Sequence, residues 1–308
     1  MSVALLFPGQ GSQSPGMLHR LPDHPAVRQT LEEVSTELGY EVLTLDTPEA
    51  LHSTVPVQLA LLTAGVAAAR ALESEGVIPE AVAGLSVGAF GAAVHAQVIT
   101  LADGVRLVKR RAELMEQYSP QGYGLTAIVG LKEDQVTALI MEANNPDDPV
   151  YLGNVNSADQ IVISGSLSGM QKVASAALQE GARKVELLDV AVLSHFPLLQ
   201  PVANTLAQTL ETFPLHPPRM VYVGNVKAHA LRNPEEIAWD LAYNIAHGVR
   251  WYETNIVLQE LGCSLFIETP PGHVLTNLAK QSVPDTKSIA LADSSLPYVI
   301  QQAYRHTS

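Results

Sequence analysis

"AVAGLSVGAFGAAVHA", Ala81 to Ala96, decides the fold. Its first four residues are short and apolar, as a buried strand is. From Gly88 the residues are small and apolar, as a packed helix is. Between them Gly84-Leu85-Ser86-Val87-Gly88 spells G-x-S-x-G. A sharp strand-to-helix turn with this spacing lifts the Ser86 hydroxyl clear of the backbone at a helix N-terminus. The two glycines permit the turn and the close packing around it. The N–H of Val87 then points to where an oxyanion would form. The plain alternative is an ordinary Gly-Ser turn. The strand before it and the helix after it supply the context that a nucleophile elbow needs.

The pattern continues outward from this stretch. "SVALLF" reads as a buried strand stopped by Pro8-Gly9, and "HPAVRQTLEEVSTELGY" as a helix ended by Gly39. "VPVQLALLTAGVAAARALESEG" reads as a long buried helix ended by Gly76. "TLADGVRLVKRRAELMEQY" opens with the capping pair Thr100 and Asp103 and reads as a helix. Strands alternating with helices predict an α/β domain with a parallel sheet. The middle differs: "LTAIVGL", "KEDQVTALIMEA", "VYLGNVN", "QIVISG", "SLSGMQKVASAALQEG" and "RKVELLDV" read in the order β-α-β-β-α-β. That order predicts a ferredoxin-like unit. After it the α/β pattern resumes. The expected organisation is a hydrolase-like domain of residues 1–121 and 191–308, with a small domain, 122–190, inserted. The cleft between the two is the expected place for a site.

Bulk composition narrows the function. The chain has 308 residues, 18 basic and 31 acidic, for a formal net charge of -13. Such a surface disfavours nucleic acid and anionic membrane as partners. The one cysteine, Cys263, excludes an internal disulfide and fits a cytoplasmic location. The N-terminus lacks the basic region of a signal peptide. The apolar run Leu59–Ala69 is too short to span a bilayer. The ten histidines are scattered without H-E-x-x-H or C-x-x-C spacing, so no metal site is expected.

Three further features bear on chemistry. "FPGQGSQ" follows the first strand but is not G-x-G-x-x-G, which argues against a dinucleotide loop. It is either a plain loop or the source of a second oxyanion donor, the N–H of Gln10. Arg111 falls on the apolar face of its helix, among Gly104, Leu107, Val108, Leu114 and Met115. Arg106, Lys109, Arg110 and Glu113 lie on the other side. A cation turned inward needs an anionic partner. That partner is either a buried acid of the protein or a substrate carboxylate held bidentately. A serine nucleophile also needs a base. Spacing leaves two histidines open: His195 in "VAVLSHFP" and His273 in "ETPPGHVL". Asp189 is too close to His195 in sequence to make a convincing triad acid.

The ordered set "FPGQGSQSPGM", "GLSVGAF", "GVRLVKRRAELM", "NVNSADQIVISG", "LSHFP" and "ETPPGHVLTNL" resembles the malonyl-CoA:acyl carrier protein transacylases, from Phe7 to about Lys280. Within that family the chain is most similar to the epsilon-subunit type of malonate decarboxylase, through "LPDHPAV", "AVAGLSVGAF" and "YGLTAIVGL". The resemblance implies Ser86 as nucleophile, His195 as base, Gln10 and Val87 as oxyanion donors, and Arg111 as partner of the malonyl carboxylate. It implies that a backbone carbonyl orients the histidine, from the position matching Asn244. It further implies malonyl-CoA as substrate with no bound cofactor. The implied partner is an acyl carrier protein, of a malonate decarboxylase or of fatty-acid synthesis, with other decarboxylase subunits alongside in the first case. Leu85, where the family usually has His, and Asn244, where it usually has Gln, resemble the decarboxylase type. The competing readings are a serine esterase that uses His273 and a non-catalytic docking subunit.

Overall fold

The computed structural model describes residues 2–118, 120–188 and 192–307. The chain opens with β1 (Ser2–Phe7), α1 (Pro25–Leu38), α2 (Thr54–Ser74), β2 (Ala81–Gly84), α3 (Gly88–His95) and α4 (Leu101–Tyr118). The middle runs β3 (Tyr123–Val129), α5 (Glu133–Ala143), β4 (Val150–Ser157), β5 (Gln160–Ser166), α6 (Leu167–Gln179) and β6 (Lys184–Leu187). It then returns through α7 (Gln200–Leu210), β7 (Val221–Val223), β8 (Ala230–Leu231) and α8 (Pro234–Tyr243). The last elements are α9 (Trp251–Glu260), β9 (Cys263–Glu268), α10 (Val274–Ser282), β10 (Lys287–Ala290) and α11 (Leu296–Thr307).

Six strands form one sheet in the order β10-β9-β1-β2-β7-β8. The first five are parallel, and β8 runs antiparallel to β7 at the edge. β1 is apolar from Val3 to Phe7 because both its faces are covered there, as central parallel strands require. Val3, Leu5 and Phe7 join α2, α3 and α4 in one core. Ala4 and Leu6 join Trp251, Leu258, Leu275 and Leu278 of α9 and α10 in another. Gly39 takes φ 77° and closes α1, as its sequence position predicts.

α2 is longer than the Leu59–Ala69 run. Its 21 residues are long and apolar enough to cross a membrane, but most of it is buried within the protein. It is anchored to α4, where the Glu116 carboxylate accepts from Ser53 Oγ and Thr54 N–H, both at 2.8 Å. Arg111 on α4 thereby faces Gln58 on α2.

The second sheet, β4-β5-β3-β6, is antiparallel throughout and is built from residues 123–187. α5 and α6 pack on one face, over Ile128, Ile161 and Ile163. Along β5 the side chains alternate, so Val162 and Ser164 belong to the opposite face. There the Ser164 hydroxyl donates to the carbonyl of His195 at 3.0 Å. The edge of β4 also holds the first sheet's connections. Val249 N–H donates to Gly153 O at 2.8 Å, and Val155 N–H to Val249 O at 2.9 Å. The boundary expected at 190/191 lies outside the described residues, as does Asp189.

The sequence reading carried no expectation for α9, β10 or α11. The buried face of α9 is Trp251, Thr254, Asn255 and Leu258, so two polar residues interrupt its helical period. β10 is only four residues long.

Candidate active site

The elbow has the expected form, and its glycines are required by contact. A Cβ on Gly84 would lie 2.1 Å from the carbonyl carbon of Gly88. One on Gly88 would lie 2.1 Å from the carbonyl oxygen of Phe7. No side chain fits at those distances. Ser86 has φ 56°, in the left-handed region that non-glycine residues rarely enter. Such a conformation costs on the order of 1–3 kcal/mol and persists only when its surroundings hold it. His195 shares it, also at φ 56°.

The loop after β1 packs directly on the elbow. A Cβ on Gly9 would meet Leu85 O at 2.6 Å, which leaves the Gly9–Gln10 backbone beside Ser86. Among the described residues the N–H groups of Gln10 and Val87 donate to no protein acceptor. They are the two groups expected to serve as oxyanion donors. The N–H of Ser86 is different: it donates to Asn225 Oδ1 at 2.8 Å.

Arg111 is fully buried, and every partner it has is neutral. Nη1 donates to Gln58 Oε1 at 2.7 Å and approaches Met115 Sδ at 3.2 Å. Nη2 donates to Ser86 Oγ at 3.1 Å and lies 3.5 Å from Asn244 Oδ1. Its Nε and the Nδ2 of Asn244 are buried donors without a partner among the described residues. Among the described residues no carboxylate pairs with Arg111, so the buried-acid alternative is not what the protein adopts. Burial pushes the guanidinium down to about 9, and it remains charged at neutral pH.

His195 is buried, with Nδ1 2.7 Å from the Asn244 carbonyl and 3.2 Å from that of His247. Two acceptors at Nδ1 require the proton there, which leaves Nε2 as the basic nitrogen. Burial first, and the Arg111 charge after it, push this imidazole down to about 4, against the opposing effect of the two carbonyls. It is therefore neutral at physiological pH.

Gln10, Ser86, Arg111, Asn244 and His195 thus belong to one hydrogen-bonded chain, with Val87 next to Ser86. Gln58 completes it: its Nε2 donates to Gln10 Oε1 at 3.1 Å while its Oε1 receives Arg111. The sequence reading missed Gln58, a lone polar side chain inside the apolar run "VPVQLALL", and Asn225, which follows β7.

His273 is elsewhere. Its Nδ1 lies 2.9 Å from Asp293 Oδ2, with the side chain 56% exposed. It lines a cavity of about 680 Å³ with Arg20, Pro271 and Ser294, and Ser86 is not among the lining residues. Among the described residues no group of His, Cys, Asp and Glu could hold a metal ion.

The acyl transferase domain family matches residues 4–300. The malonyl CoA-acyl carrier protein transacylase of Haemophilus influenzae is 35% identical over 94% of this chain and 95% of its own length. That of Escherichia coli K12 is 36% identical over 95% and 96%. An acyl-carrier-protein S-malonyltransferase of Burkholderia pseudomallei superposes with a TM-score of 0.93 at 34% identity, covering 98% of this chain and 100% of that one. A malonyl-transacylase solved in complex with its type II PKS acyl-carrier protein gives 0.92 at 34% identity, covering 99% of each. The chain belongs to the acyl transferase domain family, among the malonyl CoA-acyl carrier protein transacylases, and is an acyltransferase.

Proposed function

We propose that the protein moves a malonyl group from malonyl-CoA to the phosphopantetheine thiol of an acyl carrier protein, through a malonyl-serine. The observation that carries the reading is Arg111: a fully buried guanidinium with no carboxylate partner among the described residues, 3.1 Å from the Ser86 hydroxyl. A buried charge without a counter-ion is costly, and a substrate carboxylate would supply one. His195 Nε2 takes the proton of Ser86 Oγ as Oγ attacks the thioester carbonyl. The Gln10 and Val87 N–H groups receive the oxyanion. The C–S bond breaks, His195 returns the proton to the leaving thiolate, and the malonyl ester remains on Ser86. The carrier thiol then gives its proton to His195 and attacks the ester, the ester C–O bond breaks, and His195 passes the proton to the departing Ser86 Oγ, which regenerates the serine. Arg111 exchanges the Ser86 hydroxyl for the malonate carboxylate when substrate enters, which frees Oγ for attack. No bound cofactor takes part, and a cytosolic setting belongs to the same proposal.

The transacylase relatives support a carrier of the fatty-acid synthesis type over a malonate decarboxylase subunit. The decarboxylase carrier is a second reading, motivated by Leu85 and Asn244. Intact-mass analysis after incubation with malonyl-CoA tests both. One malonyl mass is expected on the peptide holding Ser86, and it should pass to the carrier that the enzyme serves. A label on Cys263 or on another serine overturns the mechanism. Loading of the decarboxylase carrier alone overturns the preferred carrier.

A further inference from the structure

Asn225 stands two residues beyond the end of β7 and is buried beneath the elbow. Its amide meets the elbow with both ends: Oδ1 accepts from Ser86 N–H at 2.8 Å, and Nδ2 donates to Gly84 O at 2.9 Å. Those two backbone groups are the next in line of the β2–β7 ladder. The strands pair in parallel as far as Ala83 and Val223, and Val221 N–H donates to Glu80 O. Continued by the parallel repeat, the backbone N–H of residue 225 would meet Gly84 O, and its carbonyl would receive Ser86 N–H. Both backbone groups are committed elsewhere. Asn225 N–H donates to the Asp240 carboxylate at 2.8 and 3.0 Å, and Asn225 O accepts from Arg250 N–H at 2.8 Å. The side chain makes the missing rung in their place. Its orientation is fixed, because only Oδ1 can face an N–H and only the NH₂ can face a carbonyl. Asp240 is fixed in turn by Val226 N–H at 3.0 Å and Tyr222 OH at 3.0 Å.

We propose that Asn225 is the positioning residue for the nucleophile, with Asp240 as its support. Resting on the assignment of Ser86 as nucleophile, its task has two parts. It holds Ser86 in the left-handed conformation that presents Oγ. It also occupies the Ser86 N–H, so the developing oxyanion is directed to Val87 and Gln10. Asn225 touches no reacting atom.

The test uses the intrinsic reactivity of Ser86 towards a fluorophosphonate ester, which carries no carboxylate and makes no use of Arg111. Oγ displaces fluoride from phosphorus, and the proton goes to His195. Wild type should be labelled once, on Ser86, and Ser86→Ala not at all. Asn225→Ala should be labelled about 100-fold more slowly, in the range of a lost oxyanion-hole contact. Its kcat for malonyl transfer should fall in parallel, with KM within about three-fold, because the carboxylate site is untouched. Should Asn225→Ala not fold, Asn225→Ser keeps a small polar side chain that is too short to bridge Ser86 N–H and Gly84 O together, and about a 10-fold loss is expected. A folded variant labelled at the wild-type rate, or one changed only in KM, overturns the inference and leaves Ser86 as the nucleophile. A wild type that is not labelled on Ser86 overturns the nucleophile assignment itself, and the inference with it.

Discussion

In the proposed function, Arg111 governs which acyl group the candidate site accepts. A point charge among neutral partners is tolerable only if something negative completes the site, and the orphaned Nε shows where donors remain unused. Arg111→Ala should lose malonyl transfer by about 100-fold or more, since truncating one member of a buried charge pair commonly costs about 3–5 kcal/mol. It should gain in relative activity on acetyl-CoA, because the pocket no longer holds an unpaired cation. Arg111→Lys should also be poor, since an ammonium cannot reproduce the planar fork. The deciding quantity is the malonyl-to-acetyl ratio of kcat/KM, with a melting curve beside it; an unchanged ratio in a destabilised variant would refute the clamp. The histidines separate by the same logic. His195→Ala should lower kcat by about two to four orders of magnitude, the usual worth of general acid–base catalysis. His273→Ala should retain most activity, since its imidazole engages Asp293 at an exposed cavity. A dead His273 variant beside an active His195 variant would restore the esterase reading.

The elbow is an element whose geometry is set by what it cannot accommodate. Gly84→Ala and Gly88→Ala each place a methyl about where a backbone atom already stands, 2.1 Å away. Neither clash can relax through a side-chain rotation, so β2, α3 or β1 must move. Each variant should lose about 3 kcal/mol or more, above the usual overpacking range, and each should lose reactivity at Ser86. A urea titration showing wild-type stability for Gly88→Ala would mean that the turn has room the contacts deny. The elbow was legible in sequence because its chemistry is local: glycine, serine and their spacing say nearly everything about the turn. The α4 face was legible for a similar reason. Gly104, Leu107, Val108, Arg111, Leu114 and Met115 are all buried, while Arg106, Lys109 and Arg110 are exposed. Asn225 was not legible. It lies 139 residues from Ser86 in sequence, and its role arises only where β7 diverges from β2. α9 was hidden by Thr254 and Asn255 on its buried face, since periodicity reads only apolar positions.

At the scale of the molecule, the candidate site lies where the two sheets meet. Ser86 and Gln10 come from the carboxyl ends of β2 and β1. His195 and Asn244 come from segments held against β5 and β4, through Ser164 and Val249. The β-α-β-β-α-β order foretold the second sheet but not this docking, which depends on tertiary contacts that no local pattern encodes. Burying histidines to build this arrangement has a consequence for acid stability. An ordinary histidine titrates near 6.5. Burial pushes both His195 and His95, at the far end of α3, down to about 4. Between those two pH values the unfolded chain takes up a proton at each site and the folded chain does not. Stability should therefore be complete above about pH 6.5 and fall as the pH is lowered towards 4. The upper limit is about 3 kcal/mol per histidine, with the opposing effect of Glu73 on His95 already contained in its position near 4. Asp240 and Glu268, whose carboxyls burial raises, act in the opposite sense and soften the loss at its acid end. His95→Leu isolates one of the two contributions outside the candidate site. Its imidazole Nε2 has no partner among the described residues, so replacing it forfeits no hydrogen bond there. The variant should keep malonyl transfer at pH 7.5 and show a markedly shallower decline of unfolding free energy between pH 6.5 and 4.5, measured by urea titration at half-unit steps. A decline as steep as wild type would show that His95 takes up its proton as readily in the folded protein as in the unfolded chain.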